Sequence, residues 1–222
     1  MENVLHLRDV PLHRAVLVTA PTVEPLETDE AKLHLRVTHA EEDLLITTLI
    51  RAARRIAEEY TRRALITQTW RLMLDAMPSP GIDDWWDGVR QGSVVQFMPP
   101  AMELPRPPLA SVVHIKSYDD SDVATVFAST KYFVDTQSDP GRVALRNGQT
   151  WPVPDRVTNG LEIQFTCGYG AGAVNVPEPI RQGMLLLIAH MYEHREAVVT
   201  GTIATQLPLT VTACWAPYRV VL

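Results

Sequence analysis

Hydrophobic residues recur at helical spacing near both ends of this chain and at a spacing of two through its middle, and the change of period predicts helical ends around a strand-rich centre. Residues 21–37, PTVEPLETDEAKLHLRV, predict a short helix with Thr28 as N-cap and acidic residues in its first turn. A longer amphipathic helix is predicted over roughly 40–63. There Thr38 and Glu41 have capping-box spacing, and Leu45, Leu49, Ala52, Ala53, Ile56 and Tyr60 share a face. Glu41, Glu42 and Asp43 at its start, with Arg62 and Arg63 at its end, complement the helix dipole.

From Thr67 the period becomes two: Trp70, Leu72 and Leu74 lie on one side of TQTWRLML, and prolines at 78, 80, 99, 100, 105, 107 and 108 punctuate the chain beyond it. Strands are predicted over roughly 93–98, 110–118, 131–135, 142–146 and 161–167. In the last, LEIQFTC, Leu161, Ile163 and Phe165 alternate with Glu162, Gln164 and Thr166, the pattern of a half-buried antiparallel strand. After CGYGAGAVNVPEP, Pro179 opens a helix reaching about Glu193. Ile180, Met184, Leu187, Ile188 and Met191 line one side and Leu185 and Leu186 the other, so it should be central. A last short helix is predicted within 209–218.

The 222 residues, 46% hydrophobic, are ample for a core. A net charge of −6 argues against a nucleic-acid binder that works by neutralising phosphates. Charges scattered through MENVLHLRDVPLHRAVLV argue against a signal peptide. Cys167 and Cys214 are too few for a disulfide framework and read as free thiols, a single bridge between them remaining open. Between Glu196 and Arg219 there is no Asp, Glu, Lys or Arg, yet Pro208, Pro217 and many threonines exclude a membrane span. An uncharged stretch of that length implies cover by another surface, which points to assembly.

The motifs that suggest chemistry are incomplete. His190, Glu193 and His194 spell H-x-x-E-H on a helix, a zinc-hydrolase arrangement, but no carboxylate follows Glu196 to serve as third ligand, so a capping and ion-pair cluster is the simpler reading. Gly168, Gly170 and Ala173 satisfy G-x-G-x-x-A, yet prolines separate them from the helix and no parallel strand follows; glycines for a tight passage from sheet to helix explain them better. Asp83, Asp84, Trp85, Trp86 and Asp87 read as a solvated acidic loop, and Asp119, Asp120 and Asp122 as a hairpin turn. Arg51, Arg54, Arg55, Arg62 and Arg63 flank the second helix with Glu58 and Glu59 interleaved, the pattern of an ion-paired face. No nucleophile elbow and no Walker loop occurs.

Taken together, LVTAPTVEPLETDEAKLHLRV, EEYTRRALITQTWRL, ELPRPPLASVVHIKSY and FTCGYG followed by VPEPIRQGMLLLIAHMYEHREAVVTG resemble the head–tail connector (adaptor) proteins of long-tailed bacteriophages and of related gene-transfer particles. The likeness covers roughly residues 16–222, and RALITQTW, ELPRPPL and the PEPI-to-HREAV helix are its most specific parts. It implies an α+β fold: a bundle of N- and C-terminal helices with an inserted antiparallel β-rich subdomain. The corresponding division is an N-terminal extension (1–20), N-terminal helices (21–66), a β-rich insert (67–176) and a C-terminal helix with a docking tail (177–222).

The resemblance further implies a structural protein with no catalytic, cofactor-binding or metal-ligating residues. Twelve copies would form a ring in the virion neck, between portal and a stopper or tail-completion protein, assembled in the host cytoplasm. Genomic DNA would pass through the bore without sequence-specific binding and no membrane would be involved. Leu207, Leu209, Trp215, Tyr218, Val220 and Leu222 are the expected contacts with portal or neighbouring subunit. Removing 207–222 is expected to abolish that attachment while leaving the bundle folded. The alternatives are another neck component, a stopper or tail-completion protein, or a zinc hydrolase using H-x-x-E-H.

Overall fold

The structure is a computed structural model that describes residues 15–75, 101–195 and 208–220. The described residues are α+β, with four α-helices and antiparallel sheets. The described chain forms two compact units, residues 15–20 with 68–167 and residues 21–67 with 168–220.

In the first unit the strands are β1 (Ala15–Thr19), β2 (Gln68–Leu74), β3 (Ala101–Glu103), β4 (Leu109–Tyr118), β5 (Ala124–Phe127), β6 (Tyr132–Asp135), β7 (Arg142–Leu145) and β8 (Leu161–Cys167). They make a five-stranded sheet in the order β1-β2-β8-β4-β5 and a three-stranded sheet in the order β3-β7-β6. All the pairings are antiparallel. Register explains the alternation seen in the sequence. Trp70 lies opposite Phe165 and Leu72 opposite Ile163, so these side chains share one buried face, while Arg71 and Gln164 share the other. Ile115 continues the buried face on β4.

The expected strand over 93–98 lies outside the described residues. Three strands went unpredicted. β5 is too short at four residues to show a period. β3 has only three residues, and β1, within the expected N-terminal extension, is the run AVLVT, which shows no alternation because Val16, Leu17 and Val18 are all exposed at a sheet edge.

The second unit contains α1 (Thr28–Leu35), α2 (Asp43–Thr61), α3 (Glu178–Glu193) and α4 (Leu209–Trp215), the last continued by a 3-10 turn over Ala216–Tyr218. Its core joins Ile46, Ile50, Ala53 and Ala57 of α2 to Ile180, Met184, Leu187 and Ile188 of α3, with Val211 and Trp215 of α4. The expected α2 face is displaced by about one residue. Ile46, Ile50, Ala53 and Ala57 form the buried centre, and Leu49, Ile56 and Tyr60 its half-buried shoulder.

Both expected caps differ. Glu27, not Thr28, takes the extended N-cap conformation of α1, and the Thr28 hydroxyl lies 3.3 Å from that of Thr47. α2 starts at Asp43 behind Glu42, because an Asp43-to-Ala40 turn of 3.2 Å separates it from Thr38 and Glu41. α1 stops at Arg36, whose left-handed φ of 59° allows Val37 N to reach the Lys32 carbonyl at 3.0 Å.

Candidate functional site

The residues expected to dock onto a partner are dispersed. Trp215 is 0% exposed: its Nε1 donates to the Ile180 carbonyl at 3.1 Å and its ring packs against Tyr60. Gly183 makes room for it, since a Cβ there would come within 2.3 Å of Trp215 Nε1. Val220 is buried and its N–H donates to the Thr61 carbonyl at 3.0 Å. Tyr218 is half-buried and its carbonyl accepts from Arg63 Nε at 2.5 Å. Thus Trp215 and Val220 are covered by their own chain. Of the expected contacts only Leu209, 86% exposed, presents its side chain fully to solvent; Leu207 and Leu222 lie outside the described residues. Val211 and Trp215 belong to the core of the helices, so removing 207–222 would take away part of that core together with the expected docking residues.

His190, Glu193 and His194 are exposed at the end of α3, the two rings tilted against each other with centroids 4.7 Å apart. His194 Nδ1 lies 3.0 Å from the His190 carbonyl, at the helix end. Beside them Glu42 accepts from Tyr192 and, at 2.7 Å, from Arg195, bonds that hold its carboxyl below the usual carboxylate range. This ties the start of α2 to the end of α3. Among the described residues no group of three or more His, Cys, Asp or Glu is placed to hold a metal, and no helix is long and apolar enough to cross a membrane.

Gly168, at φ 126°, passes within reach of the Ile66 backbone, where a Cβ would approach to 2.6 Å. Thr67 N bonds the Gly170 carbonyl at 2.9 Å, so these glycines serve a close crossing of two chain segments. Asp119 accepts from Ser121 N and Val123 N at 2.9 and 2.8 Å, the geometry of a turn. The acidic loop at residues 83–87 lies outside the described residues.

Of the arginines on α2, Arg54 is buried: its Nε donates to Glu24 at 2.7 Å and Nη1 to Glu58 at 2.9 Å. Burial alone would lower its pKa, but the two carboxylates outweigh that and raise it. Glu58 also accepts from Leu65 N at 3.1 Å, so this network fastens the segments before and after α2 to the helix.

Alternation assigns Glu162 to solvent, yet it is only 5% exposed. His114 Nε2 and the Tyr118 hydroxyl each approach its carboxylate at 2.8 Å, and Arg71 and Lys116 stand 3.9 and 4.0 Å away. Burial opposes ionisation, but these bonds and charges prevail and the pKa is lowered. Neighbouring strands β2 and β4 supply every one of these groups, which is why reading β8 alone misses them. Arg106 is likewise buried, its guanidinium 4.2 Å above the Trp70 ring, and it sits within ELPRPPL.

Residues 27–119 match the model of the phage gp6-like head–tail connector protein family. No curated protein matches the chain. Among solved structures, a chain from the neck of an empty gene transfer agent (GTA) particle, computed with C6 symmetry, is similar at 26% identity and TM-score 0.71, covering 94% of this chain and 96% of that one. A chain from the virion of a native GTA particle is 26% identical with TM-score 0.69, covering 94% and 96%. A third, from the neck of a native GTA particle computed with C12 symmetry, shares the fold at 24% identity and TM-score 0.62, covering 93% and 97%. The resemblance to head–tail connector proteins read from the sequence therefore holds, and the similar chains come from structural parts of particles.

Proposed function

We propose that this protein is a structural head–tail adaptor of a phage or phage-like particle and that its work is mechanical. Copies join side to side into a ring of twelve in the neck, between the portal and a stopper or tail-completion protein, and extend the channel through which DNA passes. The observation that carries this reading is near end-to-end likeness, over 94% of the chain, to a protein of a GTA neck. The helices from 21–66 and 177–222 form the bundle of the adaptor and 67–176 its β-rich insert. The acidic balance suits the role, because copies carrying −6 each would repel phosphates at the bore and let DNA slide. Leu209, with Leu207 and Leu222, remains the portal-facing candidate.

The test is to mix the purified chain with its portal, follow mass by light scattering and image the product. A twelve-fold ring seated on the portal is expected. A chain that remains monomeric beside the portal sinks the reading, as does nanomolar DNA binding with a steep salt dependence.

A further inference from the structure

The five-stranded sheet ends in β1 on one side and β5 on the other, and among the described residues neither outer edge has a partner. A bare edge exposes a row of backbone donors and acceptors, and proteins ordinarily guard it with lysine, proline or an inward charge. Lysine, proline and inward charge are absent here, although β1 carries a register shift between Leu17 and Thr19 and β5 is only four residues long. AVLVT and ATVF contain no charged residue and no proline, and Val16, Leu17, Val18 and Val126 are exposed, Val16 to 54% and Val126 to 61%.

The two edges also match. Four antiparallel steps separate them, so β1 and β5 run in the same direction. Register puts Val16 opposite Arg71, Arg71 opposite Gln164, and Val126 opposite Lys116, which faces Glu162. Val16 and Val126 therefore project from the same face of the sheet at its two ends. Leu17 and Thr125 project from the other, through Trp70, Phe165 and Ile163 on one side and Ser117 and Leu161 on the other.

We propose that β1 of one copy pairs in parallel with β5 of the next, so that the sheet runs on from subunit to subunit around the assembly. The inference rests on the ring reading above. A rotation axis lying along the strands keeps their direction and brings unlike edges together, which is the head-to-tail contact that closes into a ring. An axis across the strands would instead join β1 to β1, consuming one edge and stopping at a dimer. Parallel pairing also sets Val16 and Val126 side by side, so that one contact covers the exposed valines of both edges.

The test uses the full chain carrying Cys214→Ser, assembled with portal and then oxidised. Val16→Cys combined with Val126→Cys, or with Ala124→Cys for a shift of register, is expected to yield a ladder of disulfide-linked multimers extending beyond the dimer. The mismatched pair Val16→Cys and Thr125→Cys is expected to yield none. Val126→Lys should leave the monomer's circular dichroism unchanged and lower ring formation at least about tenfold, because its charge would be set against an apolar strand. Rings that form normally and give no ladder overturn the edge pairing and leave the adaptor reading standing. Dimers from Val16→Cys alone, or its crosslinking to portal, overturn the pairing in favour of a β1–β1 contact or a portal segment on that edge. A wild-type chain that forms no ring overturns both.

Discussion

Two segments of this protein, β1 and the C-terminal stretch 208–218, are alike in composition and opposite in fate. Both are free of charged residues, the first reading AVLVT and the second PLTVTACWAPY. The C-terminal stretch places Val211 and Trp215 on the inner side of α4, where Gly183 of α3 leaves a socket for the indole. β1 leaves Val16, Leu17 and Val18 exposed. An uncharged apolar run thus does not say whether its own chain will cover it. What decides is whether the fold supplies a complementary cavity.

The sharpest way to break this contrast is to close the socket. Gly183→Val should expel the Trp215 ring and cost about as much as Trp215→Ala, roughly 3–5 kcal/mol, since an aromatic of the core loses its packing. Thermal unfolding would measure it, and a melting temperature within about a degree of wild type would show that the indole is not needed. Ending the chain before Pro208 should be at least as damaging, by circular dichroism, because it removes Val211 and Trp215 together.

The next effect concerns the sheet that carries β1. Glu162 titrates below its ordinary value of 4.5 in the folded state, so its ionised network adds stability above that value and loses it as pH falls through the lower folded pKa. Glu162→Gln should flatten the decline in stability below about pH 4.5, as followed by denaturant midpoints against pH, and should lower stability at pH 7 by about 1–3 kcal/mol through loss of charge-assisted bonds to His114 and Tyr118. An unchanged acid limb would show that other carboxylates dominate it.

Surface changes should be the mildest for folding. Val16→Lys and Leu209→Ser are each expected to alter stability by no more than about 0.5 kcal/mol. Val16→Lys should impair contacts between copies, and Leu209→Ser attachment to portal, measured by sedimentation with and without portal. A large loss of stability in either would mean that the residue packs within its own chain, as Trp215 does.

Much of the fold was legible in the sequence. The bounds of β8 were read residue for residue, and those of α3 nearly so, because each carries one uninterrupted period, two in the first and 3.6 in the second. The helix caps were not legible, because Thr28, Thr38 and Glu41 offered plausible local partners while Glu42 was claimed by Tyr192 and Arg195 from far along the chain. The ionless character of the tail is plain in the sequence, but the burial of its largest side chain, Trp215, within its own chain is not.

The sequence by itself determined which stretches are helical, which are extended and which stripe of each is apolar, for these follow from local geometry repeating every few residues. It also carried, in four separate stretches, its likeness to the connector family. Only the tertiary structure decided that Trp215 would fill the space above Gly183, that Glu162 would be enclosed by groups from two neighbouring strands, and that β1 would be the outermost strand of its sheet among the described residues. Each of these depends on residues brought together from distant parts of the chain, and burial is a property of that meeting rather than of any residue alone.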